Sequence, residues 1–199
     1  TCQVTITEPD ALACTAVEDT AVVCNGESNG VATVTPTGGV GPYTYSWDIS
    51  GETTATATAL IAGLHTVTVT DANGATTTCQ VTITEPPLLT CSAVQDSAVT
   101  INGASDGVAT VTPTGGVGPY TYLWDNGNTN ATANDLDAGV HTVTVTDANN
   151  CTTTCQVTIT EPDALACTAV EDTAVVCNGE SNGVATVTPT GGVGPYTYS

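Results

Sequence analysis

The chain has 199 residues, with no Lys, no Arg, 20 Asp plus Glu and a formal net charge of −20. A polyanion without cationic side chains cannot neutralise phosphates, which excludes direct binding of nucleic acid. Nor can Lys or Arg ion pairs hold its fold, so solvent or divalent cations must screen the repulsion. The composition is 40% hydrophobic, too apolar for an acidic disordered segment, and its Val, Ile, Thr and Tyr favour strands. An all-β fold is expected. No apolar run approaches the length of a membrane helix, so no membrane insertion is expected.

In chain order, residues 1–9 read as the last strand of a preceding module. Residues 11–19 (ALACTAVED) form a first strand and 23–30 (VCNGESNG) a turn. Residues 31–37 (VATVTPT) form a second strand, GGVGP turns the chain, and 43–48 (YTYSWD) form a third. A short edge strand and turn cover 56–63, residues 65–71 (HTVTVTD) alternate as a strand, and 76–86 close the unit. Val67 and Val69 share one face, as do Val81 and Ile83, the period-two pattern of a half-buried sheet. Roughly seven short strands with regularly spaced turns predict a β-sandwich.

The same elements recur. Residues 1–46 and 154–199 are identical, a period of 153. Inside it runs a looser period: Cys2, Cys79 and Cys155 are 77 and 76 apart, as are Cys14, Cys91 and Cys167. Periods of this length mark tandem arrays. The expected organisation is a sandwich at 10–86, a second at 87–162, and the first half of a following module at 163–199, with Pro86, Pro87 and Pro162 at the linkers. Both ends fall inside a sheet, which predicts a segment of a longer array.

The phrases PYTYSWD (42–48) and AGLHTVTVTDANG (62–74) resemble PKD-type immunoglobulin-like domains. The longer phrase GVATVTPTGGVGPYTYSW, followed by VTVTDANG and VTITEP, is similar to SprB repeats, modules of giant surface adhesins of gliding Bacteroidota. The similarity runs over nearly the whole chain. It implies tandem immunoglobulin-like (PKD-like) β-sandwiches in a head-to-tail array, in long secreted filaments or adhesins often exported by the type IX system. A role class is implied, not a ligand.

Nine Cys without CxxC spacing point to disulfides in an oxidising compartment. In an immunoglobulin-like sandwich the first and last strands run parallel and adjacent, so Cys14 can bridge Cys79, and Cys91 can bridge Cys155. Closing a loop of about 65 residues contributes about 4 kcal/mol in the chain-entropy description. Cys24 and Cys151 each lack a counterpart within their own module, where Ala75 and Ile101 stand instead. In a head-to-tail array they meet, which predicts a Cys24–Cys151 bridge between modules; Cys151–Cys177 is the rival pairing. Cys2, Cys167 and Cys177 would pair with modules beyond this chain.

Two N-glycosylation sequons start at Asn130 and Asn150. The triplets Asp19-Thr20-Ala21, Asp96-Ser97-Ala98 and Asp172-Thr173-Ala174 recur at one place in each module and resemble the Asp-Ser/Thr-aliphatic O-glycosylation signal of Bacteroidota. They read equally well as Asx or Ser/Thr turns. Asp71 with Asn73, Asp135 with Asp137, and the NGESNG and NGASDG turns offer oxygen ligands, making structural Ca²⁺ the alternative to no cofactor. His65 and His141 read as surface residues at strand starts, and Trp47 and Trp124 as core, with a sugar-binding platform as the alternative.

No nucleophile, base and orienting group occur together, so no enzyme is expected. The leading expectation is a structural extracellular fibre or stalk on a bacterial surface, whose partners are neighbouring copies of its own module and covalent glycans. A glycan- or surface-binding adhesin, with a part in gliding motility, is the alternative. A fragment accompanying a hydrolase ranks third.

Overall fold

The computed structural model describes residues 2–48 and 51–199. The chain forms two compact units. The first takes in Thr1–Leu89 with Thr114–Gly118 and Asp147–Cys151, and the second Thr90–Pro113, Pro119–Thr146 and Thr152–Ser199. Every regular element is a strand among the described residues.

In the first unit the strands are β1 (Ala13–Thr20), β2 (Gly30–Thr37), β3 (Thr44–Trp47), β4 (Thr56–Leu60), β5 (Gly63–Thr70) and β6 (Thr76–Ile83). They form two three-stranded antiparallel sheets, ordered β1-β2-β4 and β3-β5-β6. This is the immunoglobulin division of strands, short of one edge strand. Among the described residues six strands form rather than about seven. Between β3 and β4 the Trp47 amide donates to the Glu52 carbonyl (3.2 Å) and the Trp47 indole to the Thr54 carbonyl (3.1 Å).

The core follows the alternation. Ala32 and Val34 of β2, Ala57 and Leu60 of β4, Val67 and Val69 of β5, and Val81 and Ile83 of β6 close on Trp47. The Thr residues between them face outward. The β5–β6 hairpin keeps register from Gly63↔Ile83 to Thr70↔Thr76. Gly38, at φ 65°, crosses so close to the entering chain that a Cβ there would run into the Ala11 carbonyl. That is why GG opens this turn.

The second unit repeats the plan with β7 (Thr90–Ser97), β8 (Gly107–Thr114), β9 (Thr121–Trp124), β10 (Thr132–Leu136), β11 (Gly139–Thr146) and β12 (Thr152–Ile159). Its sheets are β10-β8-β7 and β12-β11-β9, packed around Trp124. A further hairpin joins β13 (Ala166–Thr173) to β14 (Val184–Thr190) in the register of β1 and β2. The two hairpins have one sequence and two environments. Val34 is 2% exposed, whereas Val187, its equivalent, is 41% exposed because no second sheet faces it. Residues 2–9 carry the sequence of 79–86 but form no strand and are exposed.

Candidate functional site

Three disulfides define the chemistry of the chain. Cys14 bonds Cys79 with Cα atoms 6.0 Å apart, and Cys91 bonds Cys155, also at 6.0 Å. Each joins the first strand of a sandwich to its last, and so ties one sheet to the other. Further along, the Val22 amide donates to the Thr84 carbonyl (2.8 Å), and the Thr84 amide to Glu18 Oε1 (2.7 Å). Partners 14 with 79, 18 with 84 and 22 with 84 advance together, so β1 and β6 run in the same direction. The Thr-Glu-Pro tail is then gripped by the β1–β2 turn: Asn25 Nδ2 donates to the Pro86 carbonyl (3.0 Å), and the Gly26 amide to Glu85 Oε2 (2.7 Å). The second unit repeats this grip with Asn102 on Pro162 (3.1 Å) and Gly103 on Glu161 (2.8 Å). Sequence reading treated these prolines only as linker marks; the recurring pairing of NG with TEP was the available signal.

The third bridge, Cys24–Cys151, has a Cα separation of 5.7 Å and lies inside the first unit, which includes 147–151. Asn149 Nδ2 donates to the Val23 carbonyl (2.9 Å) beside it. Cys2, Cys167 and Cys177 are exposed thiols.

Asp71 and Asp147 organise the turns after β5 and β11. Asp71 Oδ1 accepts the Asn73 (2.9 Å) and Ala75 (2.8 Å) amides, and Oδ2 accepts the Val40 amide (3.0 Å). The Val40 hydrogen bond leads in holding its carboxyl below the ordinary value, against the opposing effect of burial. For Asp147 burial pushes the value up, but the Val117, Cys151 and Asn149 amides outweigh it and the net shift is downward. Both carboxylates are therefore turn hubs occupied by backbone donors. Asp135 is exposed with φ 57°, and Asp137 Oδ1 lies 3.3 Å from His141 Nε2. Among the described residues no group of three or more His, Cys, Asp and Glu converges as a metal centre.

The two histidines are not surface residues. His65 is 2% exposed and His141 6%. Each begins the inward-facing row of its strand, which continues through Val67 and Val69, or through Val143 and Val145. His65 Nε2 lies 2.8 Å from the Ile61 carbonyl, and its Nδ1 stands 3.5 Å from Asp48 Oδ1. His141 reaches the Asp137 carbonyl through Nε2 (3.0 Å) and Asp125 Oδ1 through Nδ1 (2.9 Å). Strand alternation already placed them inside; reading them as strand ends concealed it.

Trp47 and Trp124 are buried, with the Trp124 indole donating to the Asn130 carbonyl (3.0 Å), so neither offers a face to a sugar. Thr20, Ser97 and Thr173 are exposed at strand ends. The Asp before each does not fold back into a local turn. It reaches across the sheet, where Asp19 accepts from Thr33 (2.6 Å) and Asp96 from Thr110 (2.7 Å). Asn130 and Asn150 are also exposed.

The SprB repeat family model matches residues 19–53, 102–129 and 172–199. The matched stretches run through β2 and β3, through β8 and β9, and through β14, leaving β4–β6 and β10–β12 outside. No curated protein matches the chain. Among solved structures, the three N-terminal domains of the Hoc outer capsid protein of bacteriophage RB49 are similar at 18% identity and TM-score 0.44, over 89% of this chain and 70% of that one. A tetra-tandem repeat from the extending region of a large adhesion protein is similar at 17% and 0.28, over 90% and 63%. The C-terminal fragment of intimin, in complex with the intimin-binding domain of its translocated receptor, stands at 17% and 0.28, over 86% and 67%. The chain thus spans less than two-thirds of the adhesion-protein chain. With each of these TM-scores below 0.5, the immunoglobulin-like assignment stands on strand order and the buried Trp.

Proposed function

This chain carries SprB repeats, and from that premise we propose that it is a stretch of an extracellular fibre or stalk on a bacterial surface, with a mechanical rather than catalytic role. The observation that carries the reading is one sandwich, closed from first strand to last by a disulfide, occurring twice in tandem with its opening hairpin a third time. Each such repeat buries its own core and adds to the array in one dimension. Disulfides favour an oxidising, extracellular setting. No helix among the described residues is long and apolar enough to cross a membrane. The partners in this reading are further copies of the repeat, in modules running at 10–86 and 87–162. Glycans on Thr20, Ser97 and Thr173, or on Asn130 and Asn150, would shield the acidic surface and the strand edges.

Electron microscopy of the native material tests the reading. A beaded filament with a two-repeat period supports it, and isolated globules overturn it. The adhesin alternative predicts that a purified chain retains polysaccharide or host surface. Buried Trp side chains remove its simplest sugar platform, so we rank it second. Intact mass of the secreted protein measures the glycans.

A further inference from the structure

The turn at residues 175–183 matches, residue for residue, the turn at 22–30. It is also built the same way. Val23 N–H donates to Asn29 Oδ1 (2.9 Å) and Val176 N–H to Asn182 Oδ1 (3.3 Å). Asn29 Nδ2 donates to Glu27 Oε2 (2.8 Å) and Asn182 Nδ2 to Glu180 Oε2 (2.6 Å). Glu27 N–H donates to the Cys24 carbonyl (3.0 Å) and Glu180 N–H to the Cys177 carbonyl (3.2 Å).

The two turns differ in occupancy. The first holds the Asp-Ala-Asn-Asn-Cys turn of residues 147–151, through the Cys24–Cys151 bond and the Asn149 amide on the Val23 carbonyl. In the second, Cys177 is an exposed thiol, and Val176 is 75% exposed against 37% for Val23. The remaining turn of this kind, at 99–107, carries Ile101 where the others carry Cys. On the donor side, residues 71–75 read Asp-Ala-Asn-Gly-Ala, with Ala75 in place of Cys151. Receptor and ligand turns are thus each marked by one cysteine, on different repeats.

We propose that the 175–183 turn is a binding site for an Asp-Ala-Asn-Asn-Cys turn carried by another copy of the 87–162 repeat, captured by a disulfide to Cys177. The arrangement at 22–30 supplies the geometry: the asparagine amide docks on the Val176 carbonyl and sets the two sulfurs together. Bond formation removes two protons and two electrons from the thiols. In a glutathione redox buffer the oxidised glutathione accepts them and leaves as two thiols. The site goes beyond the fibre reading, because two copies free in solution would show it.

The test supplies a ligand turn with a free thiol. One donor is the Cys24→Ala/Cys177→Ala chain, which releases Cys151. A second is the Gly74→Asn/Ala75→Cys chain, which installs the ligand sequence in the first repeat and leaves all three native disulfides in place, so that one donor stays folded if the other does not. Each is mixed with the unaltered chain in glutathione buffer, and the linked peptides are mapped. Capture at Cys177 between copies, at least tenfold faster than at Cys2 or Cys167 and slowed several-fold in the first donor by Asn149→Ala, is the expected result. Indiscriminate linkage to all three thiols, no linkage with either donor, or closure of Cys151 on Cys177 within one copy when Cys24 alone is replaced by Ala would overturn the proposal.

Discussion

The imidazole of His141 lies 2.9 Å from the carboxylate of Asp125, while its other nitrogen faces the Asp137 carbonyl at 3.0 Å. Both neighbours are acceptors, so the imidazolium alone satisfies both. In a chain without Lys or Arg, this is the shortest of the carboxylate–imidazole pairs among the described residues. Burial pulls the His141 pKa down, but the hydrogen bonds it donates to the Asp125 carboxylate and the Asp137 carbonyl, with the negative charge of both Asp side chains, outweigh it, and the value ends above its ordinary 6.5. Burial likewise raises Asp125, and the His141 contact together with the Thr142 and Asn126 amides more than reverses it, to below 3.8.

The pair therefore stabilises the second unit between those limits. Its His141 part is fully present below pH 6.5 and is lost as pH rises through the raised folded value. Its Asp125 part is lost as pH falls through the lowered one. Asp125 is partly exposed, so the contribution is about 1 kcal/mol. The expected outcome is that His141→Gln lowers the urea midpoint of the second unit at pH 5.5 and changes it little at pH 8.5. Equal losses at both values would assign His141 a packing role only.

Replacing Cys14 and Cys79 together by Ser opens a loop with a sequence separation of 65. The first unit should then lose about 4 kcal/mol, seen as an early transition in denaturant while the transition of the second unit stays in place.

Asp71→Ala strands three amide donors, of Val40, Asn73 and Ala75. Losing these three hydrogen bonds lowers the stability of the first unit, read as a lower melting temperature. Because the Asp71 and Asp147 values are lowered, their contribution holds above pH 3.8 and disappears as pH falls through the folded values. Acid unfolding of the native chain should accordingly begin below pH 3.8, and of the Asp71→Ala chain at higher pH.

Backbone donors already occupy both oxygens of Asp71. Chelation of calcium should therefore leave the melting temperature of the first unit unchanged. A fall confined to the second unit would direct attention to Asp135 and Asp137.

Local pattern made the strands legible. Alternating Val and Thr placed β5 and β6 with their faces correct, and the identical phrases before Trp47 and Trp124 placed β2, β3, β8 and β9. Turn chemistry was legible as turns but not as contacts. Nothing near Asp71 in sequence announces that its carboxylate reaches Val40, thirty-one residues away. The partners of His65 and His141 were hidden for a related reason: Asp48 and Asp125 directly follow β3 and β9, which only sheet pairing brings beside β5 and β11.

The parallel course of β1 and β6 has a mechanical consequence. Tension applied at the two ends of a sandwich enters beside Cys14 and leaves beyond Cys79, so it passes straight through the sulfur bridge. The polypeptide between those cysteines, holding most of the core, is bypassed and cannot be drawn out. Such a repeat is close to inextensible while oxidised, and a reductant converts it into a spring.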